Sequence, residues 1–219
     1  MKKITSIFAV GICLFAVACA KAEPKASTIT RSEIAAAQLI NANDDLGHIT
    51  VYFEEIDLKT KAYATTYRGC MPLVKDVDLT APYTQTIRAG FKQGFANVEF
   101  VSAPMSTQEM KEKNIQAQIQ LKKPTVVIEY RVKENFLMTD FKAFATLKGT
   151  LFVNNQTGAL QQKILSITKG DEVNGTFIPD CDRELAPLIE NAATEAIKQF
   201  ALKNISTSKD IIRIQNSQK

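Results

Sequence analysis

The chain has 219 residues, 45% of them hydrophobic and 23% charged, which supports a packed core and is too apolar for wholesale disorder. A single histidine, no tryptophan and a net charge of only +4 exclude histidine-rich metal sites and a strong pull toward nucleic acid.

Met1 to Lys3 carries two positive charges, and residues 4–18 follow uncharged and largely apolar. As a helix that run spans about 22 Å, short of the roughly 30 Å hydrocarbon core of a bilayer. A basic start, a short apolar run and small residues at its end predict a signal peptide over residues 1–18. Without Lys2 and Lys3 the remaining chain is nearly charge-balanced.

The run closes on Leu14-Phe15-Ala16-Val17-Ala18-Cys19, which resembles the lipobox of bacterial lipoproteins. Ala18 fits that pattern, while Ala16 stands where leucine is usual. The resemblance implies acyl chains, palmitate among them, on Cys19. Ala20 rather than Asp after it implies sorting to the periplasmic face of the outer membrane. The rival is cleavage after Ala20-Lys21-Ala22, which would leave a soluble periplasmic protein. Once residues 1–18 are removed and Cys19 is acylated, Cys70 and Cys181 remain, and an even pair in an exported chain reads as a disulfide. It would close a loop of about 110 residues, contributing about 4–5 kcal/mol at most in the chain-entropy model.

Residues 19–30, rich in Ala, Lys, Ser and Thr, read as a tether, and residues 31–206 as one α+β domain. Thr30-x-x-Glu33 is a capping box that predicts a short helix through Ile40, broken by turn residues from Asn41 to Gly47. His48 to Ile56 is dense in β-branched and aromatic residues and predicts a strand; Tyr63 to Tyr67 is a weaker one. Lys75 to Leu79 reads as irregular. A helix is expected over Pro82 to Phe95, with Ile87, Phe91 and Phe95 as its buried stripe, and a strand over Asn97 to Val101.

Ser106-x-x-Glu109 is a second capping box and predicts a helix from Thr107 to Leu121. Ile115, Ala117, Ile119 and Leu121 nevertheless alternate with glutamine, which is strand period. Val126 to Val132 is a strand. Phe144 to Val153 and Ala159 to Thr168 form a hairpin about Asn154 to Gly158, with Gly158 placed for a positive φ. Gly170 to Pro179 is expected to be a loop. The last helix is expected over Arg183 to Asn204 with Asp182 as its cap, and residues 207–219 as a tail holding an edge strand or none.

This order implies an α+β fold: a single mixed β-sheet with a long antiparallel hairpin and helices mainly on one face. Gly94-Phe95-Ala96-Asn97-Val98, the strand Thr125 to Val132, the hairpin turn Asn155 to Leu160 and the alanine-rich last helix together resemble a group of small bacterial envelope lipoproteins. These carry a tethered α/β domain of anticodon-binding type. The group includes activators of penicillin-binding proteins, the lipopolysaccharide-transport plug lipoprotein and auxiliary lipoproteins of lipid-transporting ABC systems. The resemblance covers residues 48 to 205 and carries over no functional residue.

No catalytic residue is expected. His48, at a strand entrance after a glycine, reads as a surface residue, and no Gly-x-Ser-x-Gly turn presents a serine. Asp180, Asp182 and Glu184 lack the spacing of a calcium loop and suit a helix start instead, so no metal or cofactor is expected. Glu54 and Glu55 point to opposite faces of their strand and cannot share a substrate. Lys111 to Lys113 and Lys122-Lys123 are too scattered for nucleic acid. The Asn-x-Ser/Thr triplets at Asn155, Asn174 and Asn204 read as chance. The function expected is a membrane-anchored, non-enzymatic binding or docking module whose partner is another envelope protein. A periplasmic carrier of lipid or glycolipid is the alternative, and a cell-wall enzyme a third reading.

Overall fold

The computed structural model describes residues 27–28, 44–54, 56–66, 74–135, 138–176 and 181–217. The signal segment, Cys19, Cys70 and the helix expected over residues 30–40 lie outside them. In chain order the elements are β1 (Ser27–Thr28), β2 (Asp44–Phe53), β3 (Lys59–Thr66), β4 (Lys75–Asp78), α1 (Thr80–Gly94), β5 (Phe95–Val101), α2 (Thr107–Glu112), β6 (Ala117–Leu121), β7 (Thr125–Asn135), β8 (Met138–Asn155), β9 (Leu160–Thr176) and α3 (Cys181–Ser217). The fold is α+β, with one mixed sheet and the C-terminal helix packed on it.

Strand β8 organises the sheet. Its odd-numbered residues from Thr139 to Asn155 are all buried and its even-numbered ones are partly or fully exposed, the period-two signature of a strand with one face in the core. One edge pairs with β9 along nearly its whole length. The other pairs with β7 as far as Lys148 and with β6 from Leu151 onward. Two half-sheets, β1-β4-β3-β7 and β6-β2-β5, therefore meet along a single strand. Pairs β1/β4, β2/β5, β2/β6 and β3/β7 are parallel and the rest antiparallel.

The core lies between this sheet and α1 and α3. Tyr83, Ile87 and Phe91 recur at fourfold spacing on α1, and Leu185, Ile189, Ala193, Ile197 and Phe200 supply the matching stripe on α3. The helices approach closely at Gly90, where a Cβ would lie 3.0 Å from Ile205 Cδ1. The 37-residue α3 is roughly 55 Å long, close to the roughly 60 Å of an 18-residue strand, so one helix matches β8 in length.

Several elements depart from the sequence reading. The capping box at Ser106 forms, with Ser106 Oγ accepting from Glu109 N and the Glu109 carboxylate accepting from Ser106 N. It opens a helix of only six residues. Asn114 takes φ 52°, which ends the turn, and residues 117–121 become β6, wedged between β2 and β8. A cap fixes where a helix starts, and the alternating Ile119 and Leu121 decide the element after it.

The last helix does not stop at Asn204. Ile205, Ser208, Ile211, Ile212 and Gln215 continue the buried stripe, and the helix runs to Ser217. Because the helix starts at Cys181, Asp182 falls inside its first turn rather than at a cap. Lys75–Asp78 is a strand paired with β3 instead of an irregular stretch. Strand β2 begins at Asp44, with Gly47 at φ +82° beside an irregularity in its ladder with β5. Strand β9 runs through Gly170 to Thr176 in place of the expected loop.

Candidate functional site

Among the described residues, those that sequence singles out do not gather into one site. Cys181 opens α3, is half-buried against the core and is disulfide-bonded. Its expected partner, Cys70, lies outside the described residues, as does the lipid-attachment residue Cys19. His48 Nε2 stands 3.4 Å from the Glu99 carboxylate across the β2–β5 ladder, an ion pair when the imidazole is protonated. Glu54 accepts from Lys122 Nζ at 2.6 Å, and this bond raises the lysine's pKa above its ordinary value. Among the described residues no group of three His, Cys, Asp or Glu side chains could hold a metal, and no helix is long and apolar enough to cross a membrane.

What the fold assembles instead is the sheet face turned away from α1 and α3. Cross-strand register fixes its members, since paired residues share a face. One row runs Glu99, Thr50, Gln118, Asn154 and Leu160 across β5, β2, β6, β8 and β9. The next runs Val101, Tyr52, Gln120, Phe152 and Gln162. On the other half-sheet, Tyr63, Glu129, Phe144 and Gly170 form one row, and Val127, Thr146 and Thr168 another.

The two halves differ in chemistry. Around β6 the face is polar: Gln120 Nε2 donates to Gln118 Oε1 at 2.8 Å. Thr50 Oγ1, Gln118 Nε2 and Asn154 Oδ1 are buried without a hydrogen-bond partner among the described residues. Each such group costs about 1–3 kcal/mol relative to a satisfied one. Around β7 the face is open and mixed, with Tyr63 and Val127 set among Glu129, Arg131 and Thr146. Tyr63 is 52% exposed, Val127 48% and Met138 50%.

Phe144 lies over Gly170, where a Cβ would come within 2.7 Å of its ring, and the Arg131 guanidinium stands 5.3 Å from the ring centroid. The ring thus covers the glycine, and the cation stacks on the ring. Lys142 and Glu172 close the end of this face as an ion pair that holds the glutamate below the usual carboxylate range. Sequence reasoning misses this surface. Its only signal there is Phe144 and Phe152, at positions of β8 that alternation turns away from the core.

No family model matches the chain, and neither does any curated protein. Among solved structures, a Xanthomonas campestris protein of family DUF330 overlaps 78% of this chain and 88% of its own at 10% identity, with a TM-score of 0.45. A protein described as a neuraminyllactose-binding hemagglutinin homolog from Helicobacter pylori overlaps 83% and 96% at 11% identity, with a TM-score of 0.41. The rare lipoprotein B of Shewanella oneidensis overlaps 75% and 98% at 10% identity, with a TM-score of 0.39. These scores are too low to carry an argument about family or role.

Proposed function

We propose that this chain is a lipid-anchored, non-enzymatic binding module of the bacterial envelope. In this reading residues 1–18 export it and Cys19, acylated with palmitate among other chains, holds it at the periplasmic face of the outer membrane. Cys70 pairs with Cys181 in the oxidising compartment. The partner is another envelope protein, docked on the open part of the sheet around β7.

One observation carries the docking surface. Tyr63 and Val127, diagonal neighbours across β3 and β7, share a face with no α1 or α3 cover, in a sheet whose other face is packed into the core. Exposed aromatic and apolar side chains rimmed by charged ones, here Glu129 and Arg131, suit a protein partner. A photo-crosslinking residue at Val127, introduced into the chain in its native membrane, should give a discrete adduct with one envelope protein. The same residue at Lys203, exposed on α3, should give none. No adduct at Val127, or equal adducts at both positions, would remove the docking reading.

A further inference from the structure

We infer that two copies of this chain associate through the free edge of β9, antiparallel about Ile167. This goes beyond the docking reading and does not depend on it. Among the described residues β9 pairs with β8 alone, so a 17-residue strand presents one unpaired edge roughly 55 Å long. Such an edge is a template for another strand, and proteins usually blunt it with proline, bulges, shortness or charged side chains, lysine above all; Lys163 and Lys169 of β9 therefore admit only a strand that sets acids opposite them. Strand β9 has no proline, and its ladder with β8 is irregular only at the far end, opposite Thr139 to Phe141.

The side chains along the edge are self-complementary in one register. Lys163 and Lys169 precede Asp171 and Glu172. An antiparallel pair centred on Ile167 sets Lys163 of each copy opposite Asp171 of the other, and Ser166 opposite Thr168. Both members of each pair lie on the same face, so the helices of the two copies stay on one side of a continuous sheet. A slip of one residue would put one copy's helices on the wrong side. Sliding two residues toward the strand's start would set Lys163 opposite Lys169, like charges directly opposed.

The apolar side chains agree with this register. It places Ile164, 63% exposed in the single chain, opposite Gly170 of the second copy, over which that copy's Phe144 ring already lies. Two exposed isoleucines and two half-buried rings are covered together. The contact is isologous, so it closes at two copies.

Sedimentation of the purified full-length chain should show a dimer. Lys163→Asp and Asp171→Lys should each weaken it about tenfold or more by opposing like charges, and the double variant K163D/D171K should restore it. Mixing Ser166→Cys and Thr168→Cys proteins under oxidation should give a crosslinked dimer joined at those two positions, identified by peptide mass. A monomer at all concentrations, an open series of larger species, or a dimer indifferent to both charge reversals would overturn the inference. The Val127 crosslink would stand regardless, since β7 is separated from this edge by β8.

Discussion

The Phe200 ring of α3 rests on Gly149 of β8, so closely that a Cβ at that glycine would lie 2.8 Å from Phe200 Cζ and 3.4 Å from Pro124 Cβ. Gly149 sits where β8 changes partner from β7 to β6, and the ring, 2% exposed, fills the junction. Gly149→Ala should therefore destabilise by about 1–3 kcal/mol through overpacking, and Phe200→Ala by about 3–5 kcal/mol through the cavity it leaves. The two should couple: with the ring gone, the added methyl has room. A chemical-denaturation cycle in which both changes add independently would refute the junction as described.

Asn155 is buried at the β8–β9 turn, and its Oδ1 accepts from Thr157 N, Thr157 Oγ1 and Ala159 N at 3.0, 2.7 and 3.0 Å. Gly158 follows at φ +83°, a conformation that favours glycine. Asn155→Ala strands three donors at once and should lower stability by about 1–3 kcal/mol, read as a shift in the urea midpoint.

Acid should weaken the start of α1. Hydrogen bonds from the Thr80 hydroxyl and then from its backbone N–H, the latter at 3.0 Å, hold the Asp78 carboxyl below the usual carboxylate range. A folded pKa below the unfolded one means stability that is present above about pH 4 and is lost as pH falls through the folded value. Asp78→Asn should lose stability at neutral pH and show a smaller further loss in acid than the parent. Urea midpoints at both pH values measure this.

Intact mass of the protein from its native membrane tests the anchor and the bridge together. An acylated Cys19 as first residue and a gain of about two daltons on reduction are expected for one disulfide. Cys70→Ser, Cys181→Ser and the double variant should then destabilise equally, by up to about 4 kcal/mol. A first residue at Glu23 would instead mark a freely diffusing protein.

Strands with clean alternation and helices with a fourfold stripe are legible because burial on one face writes its period into the chain. Strand β8 and helix α1 are of this kind. Misreadings arise where two local signals compete. At residues 107–121 a true capping box announces a helix that ends at Glu112, and burial on both faces of β6 makes its glutamines look like the polar side of a helix. At Ser206-Thr207-Ser208 weak helix formers suggest an end, yet Ser208 is fully buried and the stripe continues beyond it. The sheet face around β7 is not legible at all. Tyr63, Val127 and Phe144 come from three strands far apart in sequence, and only register places them side by side.

Among the described residues, strands β1, β3, β4 and β7 share no ladder with β2, β5 and β6, and β8 alone joins the two sets. A chain emerging amino-terminus first from an export channel delivers all seven before Met138. The emerging chain therefore holds two half-sheets with open edges and nothing between them, and the strand that unites them arrives late. Folding of such non-local pairings is slow and leaves sticky intermediates. Truncations that stop short of Asn155 should accordingly yield no partial domain, and a chaperone that shields strand edges would find its longest-lived client before the hairpin forms.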